Sequence, residues 1–207
     1  MSYKELAMDR NRNHPKKGAI IKVEPVRRLE DIKNIRSLLR GNPRDLAIFN
    51  LGINTNLRAN DLVRLKVGRV RHLRPGETLV LREKKTGKTR SITLNQTCYQ
   101  SIQALLAAKD MEDAADDDFL FRSRKGKKGL LPNTLNGLVR KWTKTLGLKG
   151  NYGSHSLRKT FGYIHRTVLG TDIPTLMKLF NHSTQRQTLD YLCIQPEEIR
   201  DAYMKEI

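Results

Sequence analysis

The feature that most constrains the fold is a change of hydrophobic period near residue 69, reversed near residue 96. From Leu29 onward apolar residues recur every three or four positions, as Leu29, Ile32, Ile35, Leu38 and Leu39. That spacing places them on one face of a helix. Gly41 closes this helix and Asn42-Pro43 opens a second, with Pro43 in the first turn, where its missing N–H costs nothing. Leu46, Ile48, Phe49 and Leu51 make the second helix a largely buried one. After a break at Asn54 to Asn56, a third helix carries Leu62, Val63 and Leu65. The pattern then shortens. Pro75-Gly76 and Thr86-Gly87 mark two turns, and the runs Val70 to Leu73, Thr78 to Arg82 and Thr89 to Leu94 read as three short strands of an antiparallel meander. Helical spacing returns at Gln96 to Ala108 and continues near 133–146, 155–169, 172–180, 184–193 and 196–206. Between these lie an acidic loop at 112–118, expected to be solvated, a short buried Phe119-Leu120-Phe121 and a loop at 122–128.

The sequence thus predicts a mainly α domain with a small antiparallel three-stranded sheet, an α+β layout, over residues 29–195. Residues 1–28 read as a basic, flexible N-terminal tail, and 196–207 as a C-terminal helix with an apolar stripe of Ile199, Ala202, Tyr203 and Met204. About 38% of the 207 residues are hydrophobic, enough for one core.

Charge narrows the partner. Lys and Arg total 40 against 21 Asp and Glu, a formal net charge of +19, and such an excess fits a polyanion. Nucleic acid is the expected polyanion. No stretch approaches the roughly 20 apolar residues of a membrane span, and the N-terminus has no apolar signal-peptide core. The loop 122–128 holds Arg122, Arg124, Lys125, Lys127 and Lys128 and no acid; it reads either as a solvated loop or as a phosphate contact. The tail, with Arg10, Arg12, Lys16 and Lys17, reads as a solvated arm or one lying on phosphates. Cys98 and Cys193 are the only cysteines. They form neither a zinc spacing nor a disulfide framework, so a reducing, cytoplasmic setting is expected. No metal and no cofactor are expected either: Asp116-Asp117-Asp118 is a consecutive run whose side chains splay apart rather than converge.

His155-Ser156-Leu157-Arg158 carries the first chemical signal. Asn151-Tyr152-Gly153-Ser154 reads as a loop with Ser154 as N-cap, so His155 and Arg158 share the first turn of a helix. A helix N-terminus attracts phosphate, and a guanidinium grips its oxygens in a fork. The second signal is Leu179-Phe180-Asn181-His182-Ser183, with Tyr191 nine residues after His182.

Together these motifs resemble the tyrosine recombinase family, also called the phage integrases, which carries His-x-x-Arg, then Gly-His-Ser, then a Tyr nine residues after the second His. The likeness extends upstream. Asn54-Thr55-Asn56-Leu57-Arg58-Ala59-Asn60-Asp61-Leu62 is similar to the family's Thr-Gly-Leu-Arg-x-x-Glu-Leu, with Arg58 as the matching arginine and Asp61 in place of Glu, able to hold that guanidinium. Asn56 and Asn181 stand where the family favours Gly, at turns where Asn tolerates left-handed geometry. The family also places a lysine in the hairpin, where Lys85 aligns best and Lys84 and Lys88 compete.

The resemblance implies an enzyme that cleaves and rejoins double-stranded DNA through a 3′-phosphotyrosine at Tyr191, without metal or ATP. It implies Arg58 and Arg158 as charge neutralisers, His155 as base or relay, Lys85 as donor to the leaving oxygen and His182 as a phosphate ligand. It further implies a monomer in free solution and a tetramer on paired DNA sites, in a bacterial or phage setting near the nucleoid. Only about 28 residues precede the expected core, whereas relatives usually carry an N-terminal helical domain; a short form like the fimbrial-inversion recombinases is one alternative. A non-catalytic DNA-binding protein on this fold and a type IB topoisomerase-like relaxing enzyme are the competing readings. Tyr163, His165, Trp142 and Tyr152 read as packing residues and His72 as solvated.

Overall fold

A computed structural model of the chain describes residues 23–84, 87–123, 126–192, 194, 200 and 202–206. The expected tail 1–22 therefore lies outside the described residues, as do Lys85, Arg124, Lys125, Cys193 and much of the C-terminal helix, including Ile199. In chain order the elements are helices α1 (Leu29–Leu39), α2 (Pro43–Asn54) and α3 (Ala59–Val63), strands β1 (Thr78–Arg82) and β2 (Thr89–Thr93), then α4 (Gln96–Leu106), α5 (Pro132–Thr145), α6 (Ser154–Thr167), α7 (Ile173–Phe180) and α8 (Gln185–Leu192).

Helix α2 is the axis of the main core. Asn42 accepts a hydrogen bond from the Asp45 N–H at 3.0 Å, and Pro43 occupies the first turn. Ala47, Ile48, Phe49, Leu51 and Ile53 are all buried, as expected for a helix covered on every side. Gly52 lets α6 approach: a Cβ there would lie 2.6 Å from Leu157 Cδ1. Helix α5 shows one-sided burial instead, with Leu135, Leu138, Val139 and Trp142 inward, and Trp142 meets Phe49 edge-on at 6.2 Å.

Among the described residues the sheet has two strands rather than three. β1 and β2 pair antiparallel, Thr78 opposite Thr93 through Arg82 opposite Thr89. The expected first strand, Val70 to Leu73, instead continues a 3-10 turn at Val67–Arg69. The Val70 N–H donates to Val67 O at 3.0 Å and the Leu73 N–H to Val70 O at 3.2 Å. Val67, Val70 and Leu73 are all buried, and a spacing of three is a turn's period, not a strand's.

The boundary at residue 28 also shifts. Val26 is buried in the core, its N–H donates to Thr160 Oγ1 at 2.8 Å, and the Glu24 N–H donates to Asn151 O at 2.8 Å. Residues 23–28 therefore pack on the fold rather than trail from it. At the other end, Tyr203 and Met204 are exposed. Phe161, Leu176, Phe180 and Leu192 form a small second core, with Leu189 and Tyr191 packed against it. That satellite holds α7 and α8 on α6. Among the described residues no helix is long and apolar enough to cross a membrane.

Candidate active site

The site is assembled where four chain segments meet: the loop between α2 and α3, the β-hairpin, the start of α6, and α7–α8. Asn56 has φ 54°, a left-handed turn that delivers Arg58 to the N-cap of α3. Asn181 has φ 55° and caps α7. Behind it the His182 N–H returns to Met177 O at 3.1 Å, closing the helix as left-handed C-caps do. Asparagine at these two positions suits the backbone without glycine.

α6 starts at Ser154, with Gly153 as N-cap, one residue earlier than Ser154 capping would give. The Gly153 N–H donates to Ser156 Oγ at 3.0 Å. His155 is exposed on the first turn. Arg158, one turn on, is 1% exposed. Its guanidinium donates to Asn56 O at 2.6 Å and Phe180 O at 2.9 Å, and lies 5.6 Å from the Tyr191 ring centroid. It thus joins the Arg58 loop, the end of α7 and the tyrosine.

Around Phe180 the rings converge. Phe180 stacks on His182 at 5.0 Å, His182 lies 5.4 Å from Tyr191, and Lys159 Nζ is 5.9 Å from the Tyr191 centroid. His182 Nδ1 meets Thr188 Oγ1, a buried hydroxyl of α8, at 3.1 Å. That bond ties the histidine to the helix bearing Tyr191. Gly162 makes room for the cluster, since a Cβ there would lie 2.6 Å from Phe180 Cζ.

Arg58 does not rest on Asp61. Its Nη1 pairs with Glu83 Oε2, while Asp61 Oδ1 accepts the Lys84 N–H at 3.1 Å. An aspartate is one methylene shorter than the family's glutamate, and here it fastens the hairpin instead. Glu83 is 2% exposed and pairs through its other oxygen with Arg90 Nη1 at 3.1 Å. Arg90 in turn donates to Leu179 O at 2.7 Å. Neither Glu83 nor Arg90 was expected from the sequence. The signal was there: Leu79, Leu81 and Glu83 occupy alternate inward positions, as do Arg90, Ile92 and Leu94. Charged residues in the apolar phase of paired strands point to a buried ion pair.

Three guanidiniums thus share one small space with few carboxylates. Burial first, then Arg90 and Arg58, lower the Arg158 pKa. Burial first, then Arg158, Arg58 and Arg90, push His182 down to about 4. The site favours a neutral His182 and a bound anion.

The basic loop behaves differently. Arg122 is buried and takes Asp113 at 2.7 Å, Asp118 at 2.8 Å and Asp110 O at 2.7 Å. Lys127 also pairs with Asp113, at 2.8 Å, and Lys128 is exposed. The acidic stretch 112–118 is not merely solvated, because it neutralises part of the basic loop. Among the described residues no group of three or more His, Cys, Asp or Glu is placed to hold a metal.

The sequence profile of the phage integrase family matches residues 26–198. The chain belongs to the phage integrase family. That family comprises the tyrosine-type site-specific recombinases. Among curated relatives, the probable integrase/recombinase YoeC of Bacillus subtilis (strain 168) is 34% identical over 87% of this chain and 95% of its own length. Tyrosine recombinase XerC of Caldanaerobacter subterraneus subsp. tengcongensis is 31% identical over 86% of this chain. The chain spans only 49% of that XerC, about half. The crystal structure of XerA recombinase has the same fold, with a TM-score of 0.73 and 20% identity over 94% of this chain and 68% of its own. XerH bound to a palindromic difH substrate gives a TM-score of 0.71 at 18% identity, over 88% of this chain and 53% of that one.

Proposed function

We propose that this protein is a site-specific DNA recombinase that cleaves and rejoins double-stranded DNA through a covalent 3′-phosphotyrosine at Tyr191. The observation that carries the reading is the packing of Tyr191 between His182, at 5.4 Å between rings, and the buried Arg158 guanidinium, at 5.6 Å.

The chemistry follows from the residue types. A phosphodiester repels nucleophiles through its charged oxygens. Arg58 and Arg158 offset that charge and stabilise the added charge of the pentavalent transition state. A phenol near pKa 10 attacks poorly at neutral pH unless its proton is removed, and His155 takes it. As the Tyr191 oxygen bonds to phosphorus, the bond to the 5′-oxygen breaks, and that oxygen receives a proton from Lys85, with Lys84 and Lys88 as competitors. His182, kept neutral by burial and then by its cationic neighbours, donates a hydrogen bond to a phosphate oxygen. The ester energy stays in the phosphotyrosine, so a 5′-hydroxyl reseals the strand without ATP. Because guanidiniums supply the charge, the reaction does not need a metal. We further place the protein as a monomer in free solution, its +19 charge repelling copies until DNA neutralises it. A tetramer forms on paired sites, with the segment bearing the exposed Tyr203 and Met204 docking on a neighbour.

The test is covalent trapping. Nicked duplexes with a randomised core are incubated with the protein in EDTA, and adducts are recovered on denaturing gels. Wild type gives an adduct and Tyr191→Phe gives none while still shifting duplex DNA. Adducts that need magnesium, or that persist in Tyr191→Phe, refute the mechanism.

A further inference from the structure

We propose that Glu83 is a positioning residue of the active site, holding Arg58 in the orientation from which it meets the scissile phosphate. The assignment rests on the strand-cleavage reading and names a residue that its set of six side chains lacks.

Glu83 is the junction of the site's separate parts. One carboxylate oxygen engages Arg58 and the other engages Arg90 at 3.1 Å. Through Arg90 the link reaches Leu179 O at 2.7 Å, three residues before His182. Through its backbone, Glu83 closes the hairpin: its N–H donates to Lys88 O at 3.0 Å and its carbonyl accepts the Gly87 N–H at 2.9 Å. Lys84 and Lys88 lie at that closure. Asp61, the residue whose place in the sequence suits the task, is engaged by the Lys84 N–H at 3.1 Å. One carboxylate therefore registers the first arginine against both the hairpin and the turn that carries His182.

A buried ion pair is a poor way to gain stability alone, because apolar residues of similar size do as well. It is a good way to fix a guanidinium, whose planar fork binds carboxylate in a defined geometry. Here the need is sharp. Arg58, Arg90 and Arg158 repel one another across the site: after burial, Arg90 and Arg58 are what lower the Arg158 pKa. Without an anchoring carboxylate, Arg58 swings toward solvent, being the least buried of the three, with 16% of its side chain exposed.

The experiment uses the nicked duplex recovered by trapping with wild-type protein, prepared with either a normal scissile phosphate or a methylphosphonate. The methylphosphonate puts a methyl in place of a non-bridging oxygen and so removes the diester's single negative charge, the one that Arg58 neutralises. Single-turnover adduct formation is measured for Glu83→Gln, Glu83→Asp, Arg58→Ala and the Glu83→Gln/Arg58→Ala double variant. Glu83→Gln is expected to slow the phosphate reaction by about 100-fold, the usual cost of a misplaced catalytic group. Duplex binding, spread over many basic contacts, holds within about threefold. On the methylphosphonate the Glu83→Gln defect shrinks in parallel with that of Arg58→Ala. The double variant is no slower than Arg58→Ala alone, and Glu83→Asp recovers part of the rate. Glu83→Asp keeps the charge and carries the same comparison if Glu83→Gln fails to fold. Glu83 variants impaired equally on both substrates, or not impaired at all, overturn this assignment alone. Absence of any adduct with wild-type protein overturns the strand-cleavage reading, and the assignment with it.

Discussion

Phe180→Ala is the perturbation that best separates the protein's two cores. Phe180 is fully buried at the centre of a satellite of four buried side chains, beside the larger core built on α2 and α5. Each such side chain contributes about 1.5–3 kcal/mol of burial. Truncating a buried Phe to Ala costs about 3–5 kcal/mol once the cavity is counted. That loss removes a large part of what seats α7 and α8 on α6, yet touches few side chains of the main core. The expected result is local opening of α7–α8 rather than global unfolding. Amide exchange over 176–192 should accelerate by about two to three and a half powers of ten, at 1.4 kcal/mol per tenfold. Trp142 reports separately on the main core: it is the only tryptophan, is buried, and packs on Phe49. Its fluorescence melting transition should move little in Phe180→Ala. The adduct yield should collapse, because Phe180 stacks on His182 and lies 5.4 Å from Tyr191. If the Trp142 transition falls as far as the α7–α8 protection does, the two cores are one cooperative unit and the reasoning fails.

Gly162→Ala should cost about 1–3 kcal/mol by overpacking, since its Cβ would meet Phe180 Cζ at 2.6 Å, whereas Gly137→Ala, with open space around an exposed helical site, should stabilise by about 0.5–1 kcal/mol; chemical denaturation compares them. His182, held at about 4 by burial and three arginines, lies below the usual unfolded value near 6.5. The folded state then binds this proton less readily than the unfolded chain, so its contribution is full above about pH 6.5 and declines as pH falls toward 4. Histidine NMR should find His182 neutral at pH 6, and the melting temperature of His182→Asn should depend less on pH across that window. Arg122→Ala should lower the melting temperature, because it strips Asp113 and Asp118 of a buried partner. Its duplex affinity should change little; a large loss in a gel-shift assay with unchanged stability would restore Arg122 as a DNA contact.

The helices were legible because their signals are local. Pro43 and Asn42 opening α2, and the Leu135, Leu138, Val139 and Trp142 stripe of α5, state their geometry within a few residues. The His-x-x-Arg motif and the His182 to Tyr191 interval were legible for the same reason. What escaped depends on residues far apart in sequence. Val70 and Leu73 have strand-forming side chains, but with Val67 they repeat every three, and packing against the core decided for the turn. Arg122 looked like one of five loop cations until the chain brought Asp113 and Asp118 to it. Arg58 looked like the partner of Asp61, three residues away, yet its carboxylate came from Glu83, 25 positions on. Alternation along the two strands marks Glu83 and Arg90 as inward, but that mark is read only once the strands are known to pair.

The central claim is that Tyr191 is the nucleophile, and mass spectrometry of the trapped adduct tests it most directly. After nuclease and protease digestion, the account predicts a single modified peptide bearing a 3′-linked nucleotide on Tyr191, with a free 5′-hydroxyl on the released strand. A nucleotide on Tyr163, Tyr203 or any serine, or a 5′-linkage to Tyr191, would contradict it.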